Sequence, residues 1–272
     1  MYQPKIILGI VGTAIASLSA ALPAHAFSIY FGQDANPNPT DFANTFDDIV
    51  NSRAAETAFL NAITGEGTED FEGFTAFSDA PLDIFFDAVA TATLSGGGVA
   101  SEVKTVDKSL LDDPGTPASV KADILREIEK GRNASSGTQY WLTNGAQDFQ
   151  VNFDTEVAAF GFYGYDLGDY DATTYLDLYR GGELISSLLI PNGETAGING
   201  SAFYFGFVGN GNQTFDQVNF RMNGVTGDEF AFDDMTVGSQ PVPEPASLLG
   251  LLGVTAAVTT LLKRRDASKS ES

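Results

Sequence analysis

Two rhythms of apolar positions run along this chain. In "DFANTFDDIVNSRAAETAFLNAI", Phe42, Phe46, Ile49 and Val50 recur at helical spacing, and Phe59, Leu60 and Ile63 follow, which predicts an amphipathic helix closed by "TGEGTED". From Phe71 onward the period falls to two. The runs "FEGFTAF", "PLDIFFDAVATATL", "QDFQVNF", "VAAFGFYG", "TYLDLYR", "ELISSLLI", "SAFYFGFVG", "TFDQVNFRM" and "EFAFDDMTV" all read as strands. Within "YLDLYRGGELISSL", Gly181-Gly182 supplies the positive φ angles that a two-residue hairpin turn requires. Short strands at near-regular spacing, rich in Phe and Tyr, predict a mainly β chain: an antiparallel β-sandwich, jelly-roll-like, with a helical N-terminal segment.

One interval breaks the strand rhythm. Residues 96–138 read as a small helical insertion, with a helix in "TPASVKADILREIEKGRN". Thr116 is placed to cap it, Pro117 suits its first turn, Val120, Ile124 and Ile128 share a face, and Gly131 stops it. Alternation assigns Phe160, Phe162, Phe203, Phe205 and Phe207 to the core.

The two ends follow different rules. Residues 1–26 carry one early lysine, an apolar stretch from Ile6 to Leu22 and then Ala24-His25-Ala26, the pattern of a secretory signal cut after Ala26. Near the other end, Ala246 to Leu262 is an uncharged run of 17 residues, about 25 Å long as a helix at 1.5 Å per residue. Lys263, Arg264 and Arg265 follow it directly and are expected to stay cytoplasmic, leaving the sandwich outside. The expected organisation is a signal peptide at 1–26, a helical leader at 27–68, the sandwich at 69–238, a sorting segment at 239–266 and a polar tail at 267–272.

Composition removes several chemistries. There is no cysteine, and the single histidine, His25, lies in the segment predicted to be cut away. Thiolate nucleophiles, Ser-His-Asp triads and His-ligated zinc are thereby excluded from the mature chain. The formal net charge is −22, and five of the 14 basic residues sit in the terminal segments, leaving nine for the body. Such a surface repels nucleic acid and attracts divalent cations.

Carboxylates are therefore the abundant reactive groups. Asp70 and Glu72 enter the first predicted strand, and Asp233 and Asp234 lie in the last. First and last strands of a jelly roll are often neighbours, so these four acids are the candidate ligands of a structural calcium ion, although alternation turns Asp233 and Asp234 to opposite faces. In "YDLGDYDATTY", Asp166, Asp169 and Asp171 stand in a Gly-containing loop that lacks EF-hand spacing. Two readings stay open for it: a turn in which aspartates bond local backbone, or a ligand loop. Exposed rings stack on sugar faces, which makes Trp141, Tyr165 and Tyr170, beside Asp166 and Asp169, the candidate ligand contacts; Tyr140, Tyr163 and Tyr175 belong to the same aromatic group. A glycoside hydrolase would need two carboxylates flanking a cleft, which strand spacing does not reveal.

Val242-Pro243-Glu244-Pro245, the short apolar span and Lys263-Arg264-Arg265 together resemble the PEP-CTERM sorting signal. The resemblance implies transient anchoring in the inner membrane, processing by an exosortase and delivery to a Gram-negative cell surface or extracellular matrix, alongside exopolysaccharide. It makes Pro243, Glu244, Pro245 and the basic triplet sorting residues. "EDFEGF", "AFGFYGYDLGDYDATTYLDLY", "FGFVG" and "FAFDDMTVG" resemble the β-sandwich ectodomains of such proteins, similar jelly rolls serving as carbohydrate-binding or matrix modules. The expected function is a non-catalytic surface or matrix protein that binds carbohydrate with structural calcium. Its alternatives are a carboxylate-dependent glycan hydrolase and a purely structural or adhesive envelope protein.

Overall fold

The computed structural model describes residues 27–36, 49–144, 148–167, 173–191, 200–211, 213–223 and 229–239. The signal segment, Phe42, Phe46, Asp169, Tyr170, Asp171, the 246–262 span and the sorting residues Pro243, Glu244, Pro245, Lys263, Arg264 and Arg265 lie outside the described residues. None of the described helices is long and apolar enough to cross a membrane.

The fold is an antiparallel β-sandwich of two sheets. Its strands are β1 (Phe27–Asp34), β2 (Thr64–Glu69), β3 (Leu82–Phe86), β4 (Ala90–Ser95), β5 (Glu102–Thr105), β6 (Gln139–Asn144), β7 (Phe149–Val157), β8 (Ala159–Tyr165), β9 (Thr173–Arg180), β10 (Glu183–Leu189), β11 (Ala202–Gly209), β12 (Phe215–Asn223) and β13 (Glu229–Ser239). The helices are α1 (Val50–Leu60), α2 (Ser109–Asp112) and α3 (Ala118–Glu129). The first sheet runs β1-β11-β8-β13-β6-β5, with β2 also paired to β13; the second runs β10-β9-β12-β7-β4-β3. Within them, β6-β13-β8-β11 faces β7-β12-β9-β10, which is the winding of an eight-strand jelly roll with flanking strands added at the edges.

Alternation builds the core as expected. Phe160 and Phe162 of β8 and Phe203, Phe205 and Phe207 of β11 all point into the space between the sheets. Their neighbours on the other side of the first sheet do not meet water either. Tyr163, Tyr204 and Val208 form a second apolar layer with Ile49, Ala55 and Phe59 of α1. Gly206 makes this layer possible, because a methyl group there would sit 2.7 Å from the Phe59 ring. Gly181 and Gly182 have φ of +58° and +82°, and Arg180 pairs with Glu183 across them, so the predicted hairpin is present.

Several expectations are corrected. Residues 27–34 form an edge strand paired with β11 instead of belonging to a helical leader. Asp34 at its end accepts hydrogen bonds from the backbone N–H groups of Asn51 (3.1 Å) and Ser52 (2.8 Å), so the cap of α1 comes from β1. "TGEGTE" ends the helix and is itself β2, while "FEGFTAF" is a run of turns. "PLDIFFDAVATATL" is a hairpin, not one strand. The predicted insertion contributes β5 to the first sheet, and "QYWLTN" is a further strand, β6. Helix α3 forms as predicted, with Pro117 in place of Thr116 at its N-cap.

Candidate functional site

The expected pairing of the first predicted strand with the last does not form as such: "FEGFTAF" is a run of turns, and it is β2, just before it, that pairs with β13, with Glu69 opposite Met235. Asp233 and Asp234 do not point to opposite faces either. A register shift follows Asp233, and Asp234 has φ +44°, so the strand bulges there. Both carboxylates reach the Ser135 hydroxyl, at 2.9 Å and 2.8 Å. Asp233 also accepts from the backbone N–H groups of Ser135 (2.6 Å) and Ser136 (3.1 Å), and Asp234 from the Ser136 hydroxyl (2.7 Å). Glu72 accepts from the N–H groups of Thr138 (2.6 Å) and Gln139 (2.5 Å), and Asp70 from that of Glu72 (3.1 Å). These acids clamp the segment that leads from α3 into β6. Among the described residues no group of three or more acidic or imidazole side chains is arranged to hold a metal ion. Burial, and then the Asp234 charge, pushes the Asp233 carboxyl well above the usual carboxylate range; burial also raises Asp234.

The ligand contacts expected from sequence are mostly core. Trp141 is fully buried, stacked with Phe71 and Phe149 between the sheets. Tyr165 is fully buried too, on the outer side of the first sheet, and Tyr140 and Tyr163 lie in the same layer. Asp166 is 3% exposed and forms an ion pair with Arg132 at 3.3 Å. Arg132 also meets Glu127 (3.1 Å) and Glu229 (3.0 Å), and Tyr140 donates to Glu127 at 3.0 Å. This network fastens the end of α3 to the first sheet. Nothing in the local sequence marks this network, because only the fold shows that Glu127 is buried beside Ile124 while the other charged residues of the helix are not. Of that aromatic group, Tyr175 is the half-exposed member among the described residues.

Tyr175 opens onto the outer face of the second sheet. Leu176 and Leu178 point inward from β9, so Tyr175, Asp177 and Tyr179 point out. One register row crosses all six strands: Asp83, Thr93, Asn152, Gln217, Tyr179 and Leu184. A second runs Ser95, Gln150, Asn219, Asp177, Ser187. The rows are laced together. Gln217 donates to Gln150 (2.8 Å) and Asn152 (2.9 Å), Asn152 to Ser95 (3.0 Å), and Thr93 to Asp83 (2.6 Å). Asn219 Oδ1, in the middle, is buried without a hydrogen-bond donor. Arg221 grips Asp177 with two N–H groups (2.7 and 3.1 Å) while its guanidinium lies 4.5 Å from the Tyr175 ring centre. The Arg221 hydrogen bonds hold the Asp177 carboxyl below its ordinary value. At the two edges of this face stand Phe85, 59% exposed, and Leu184 and Leu189, 56% and 50% exposed. Helix α1 packs on β1, β11 and β8, and α3 bonds to β5 and β6, so both lie against the first sheet.

A separate groove of about 260 Å³ lies between β5 and α3, lined by Phe77, Lys104, Ser119, Val120 and Asp123. Phe77 has φ +69° there, and the Lys104 ammonium sits 5.3 Å from its ring centre. Burial would lower the Lys104 pKa, but hydrogen bonds to Glu102 and Asp123 outweigh it and raise it.

No protein-family model matches this chain, and no curated protein matches it. Among solved structures, the chain is similar to the K2 cleaved adhesin domain of Lys-gingipain (TM-score 0.39, 11% identity, 64% of this chain and 98% of that one). It is also similar to TmCBM61, solved in complex with β-1,4-galactotriose (TM-score 0.27, 15% identity, 55% of this chain and 88% of that one).

Proposed function

We propose that this chain is an exported, non-catalytic surface protein that binds polysaccharide, released to the cell surface or matrix after exosortase trims its C-terminal signal. The observation that carries the binding function is the outer face of the second sheet, where amide, hydroxyl and tyrosine groups form a continuous strip beneath no described helix. Export draws support from the placement of the fold between two processing signals. In the sequence the described fold lies between the Ala24-His25-Ala26 pattern and Val242-Pro243-Glu244-Pro245. A non-catalytic role is supported by the state of the carboxylates. Asp233 and Asp234 have the raised pKa of a general acid but are engaged by Ser135 and Ser136, with Asp233 fully buried, and Asp177 is locked to Arg221 with a lowered pKa.

Mass spectrometry of the native protein from the producing cells tests the sorting half: the expected C-terminus lies near Pro243-Glu244-Pro245, and an uncut chain in the cytosol would end that reading. Incubation of the full chain with a polysaccharide panel tests the binding half. Retention without release of shorter sugars is expected, and liberated products would replace a binding protein with a hydrolase.

A further inference from the structure

We infer that the outer face of the second sheet binds a neutral, extended polysaccharide laid across the strands, with Tyr179 and Tyr175 as stacking platforms and Gln217, Asn152 and Gln150 as the hydrogen-bonding floor. The inference rests on the polysaccharide-binding reading above and names the site and the ligand class within it.

Shape is the first argument. The row from Asp83 to Leu184 crosses six strands, a path of about 24 Å at 4.7–4.9 Å per strand spacing. That is room for several sugar units in an extended chain and far more than one small ligand uses. The pairing is continuous from β3 to β10, with bulges beside Gln217 and Leu184 where the row meets β12 and β10.

Chemistry is the second. Each carboxamide offers both a donor and an acceptor, which matches the dual character of a sugar hydroxyl. The amides of Gln217, Gln150 and Asn152 are already fixed by bonds among themselves, so they meet a ligand in a set orientation. The rings lie where the floor ends: Tyr179 pairs with Gln217 across β9 and β12, and Tyr175 is held by Arg221. The more than half-exposed Phe85 at the β3 edge gives the opposite end an apolar surface as well. A protein partner would call for an apolar centre with a polar rim, and this face has the reverse arrangement.

Charge is the third. The Asp177–Arg221 pair in the floor is internally neutral, Asp83 and Asp154 border it, and the whole chain carries −22. A polyuronate or sulfated chain would meet net repulsion, whereas an uncharged glycan would not.

The test uses the full chain and two immobilised ligand sets: neutral gluco-, galacto- and manno-oligosaccharides, and the corresponding polyuronates. Tyr179→Ala and Gln217→Glu alter outward-facing side chains only, and each is expected to weaken binding of a neutral oligosaccharide at least about tenfold. Phe77→Leu, in the groove between β5 and α3, is expected to bind like wild type. Wild-type binding that survives both sheet substitutions but is lost in Phe77→Leu would overturn the site while leaving polysaccharide binding intact. Preference for polyuronates over neutral chains would overturn the ligand class. A wild-type chain that binds no member of either set would remove the reading under Proposed function itself, and a face that instead mediates self-association, lost in Tyr179→Ala, would overturn the site in favour of a second copy.

Discussion

Glu127 accepts a hydrogen bond from Arg132 at 3.1 Å with its own side chain fully buried and that of Arg132 only 6% exposed. A cation and an anion this dry are costly apart, because each has given up water for its protein partners. Their pairing, with the buried Ile124, holds α3 in a fixed place against the first sheet.

Arg132→Met should therefore lower stability by about 3–5 kcal/mol, since buried Asp166 and Glu127 would both lose this guanidinium and Glu127 would keep only Arg126 as a cation. Urea unfolding of the variant beside wild type measures this. A loss under 1 kcal/mol would mean that the network is solvated in practice.

Gly206→Ala should destabilise the chain by about 1–3 kcal/mol, because the new methyl meets the Phe59 ring at 2.7 Å. The same exchange at Gly73, where an added methyl meets nothing within 4 Å, should cost little by comparison. Thermal unfolding of the two variants separates a packing effect from a general glycine effect.

The raised pKa of Asp233 has a signed consequence. The folded state holds this proton more tightly than the unfolded chain, so its contribution to stability is full below the ordinary aspartate range near 3.8 and is lost as pH rises through the folded value. Melting temperature should fall across that window on raising the pH, and Asp233→Asn, which cannot ionise, should flatten the slope. Asp177, with its lowered pKa, works in the opposite direction, losing its contribution as pH falls. An unchanged slope in Asp233→Asn would show that this carboxyl does not titrate differently in the fold.

Trp141, the sole tryptophan, should emit at short wavelength and resist iodide quenching until the chain unfolds. Its emission should also stay constant when an oligosaccharide binds, because the indole lies between Phe71 and Phe149 inside the sandwich. A ligand-induced shift would return Trp141 to the binding surface.

The misplacements of Trp141 and Tyr165 have different origins: Trp141 points between the sheets from β6, a strand its local sequence does not mark, whereas Tyr165 lies on an outward side that is covered. Period-two alternation tells which residues share a side, but it does not tell whether that side is covered. Tyr163 and Tyr204 look like outward residues of β8 and β11, and they are outward; α1 then lands on them. Tyr175 and Tyr179 show the same local pattern on β9 and stay half exposed, because the described helices pack elsewhere. The Asp233-Asp234 pair is a second case. Ideal alternation separates the two carboxylates, and the bulge at Asp234 brings both to Ser135. Edge strand β1 was hidden differently, as a short run between a signal pattern and a helix pattern, with its partner β11 far along the chain.

Sequence by itself determined the class of fold, the inward phenylalanines of β8 and β11, the Gly181-Gly182 hairpin and α3, since each follows from periodicity or turn chemistry written into a few consecutive residues. It also removed thiol chemistry by composition alone and left His25 as the single imidazole. Tertiary structure alone decided which outward face was roofed and which stayed open, where Arg132 found its carboxylates, and how six distant strands aligned Asp83, Asn152, Gln217 and Tyr179 in one row. Burial and register are properties of pairs of segments brought together by the fold, and no single stretch of chain carries them.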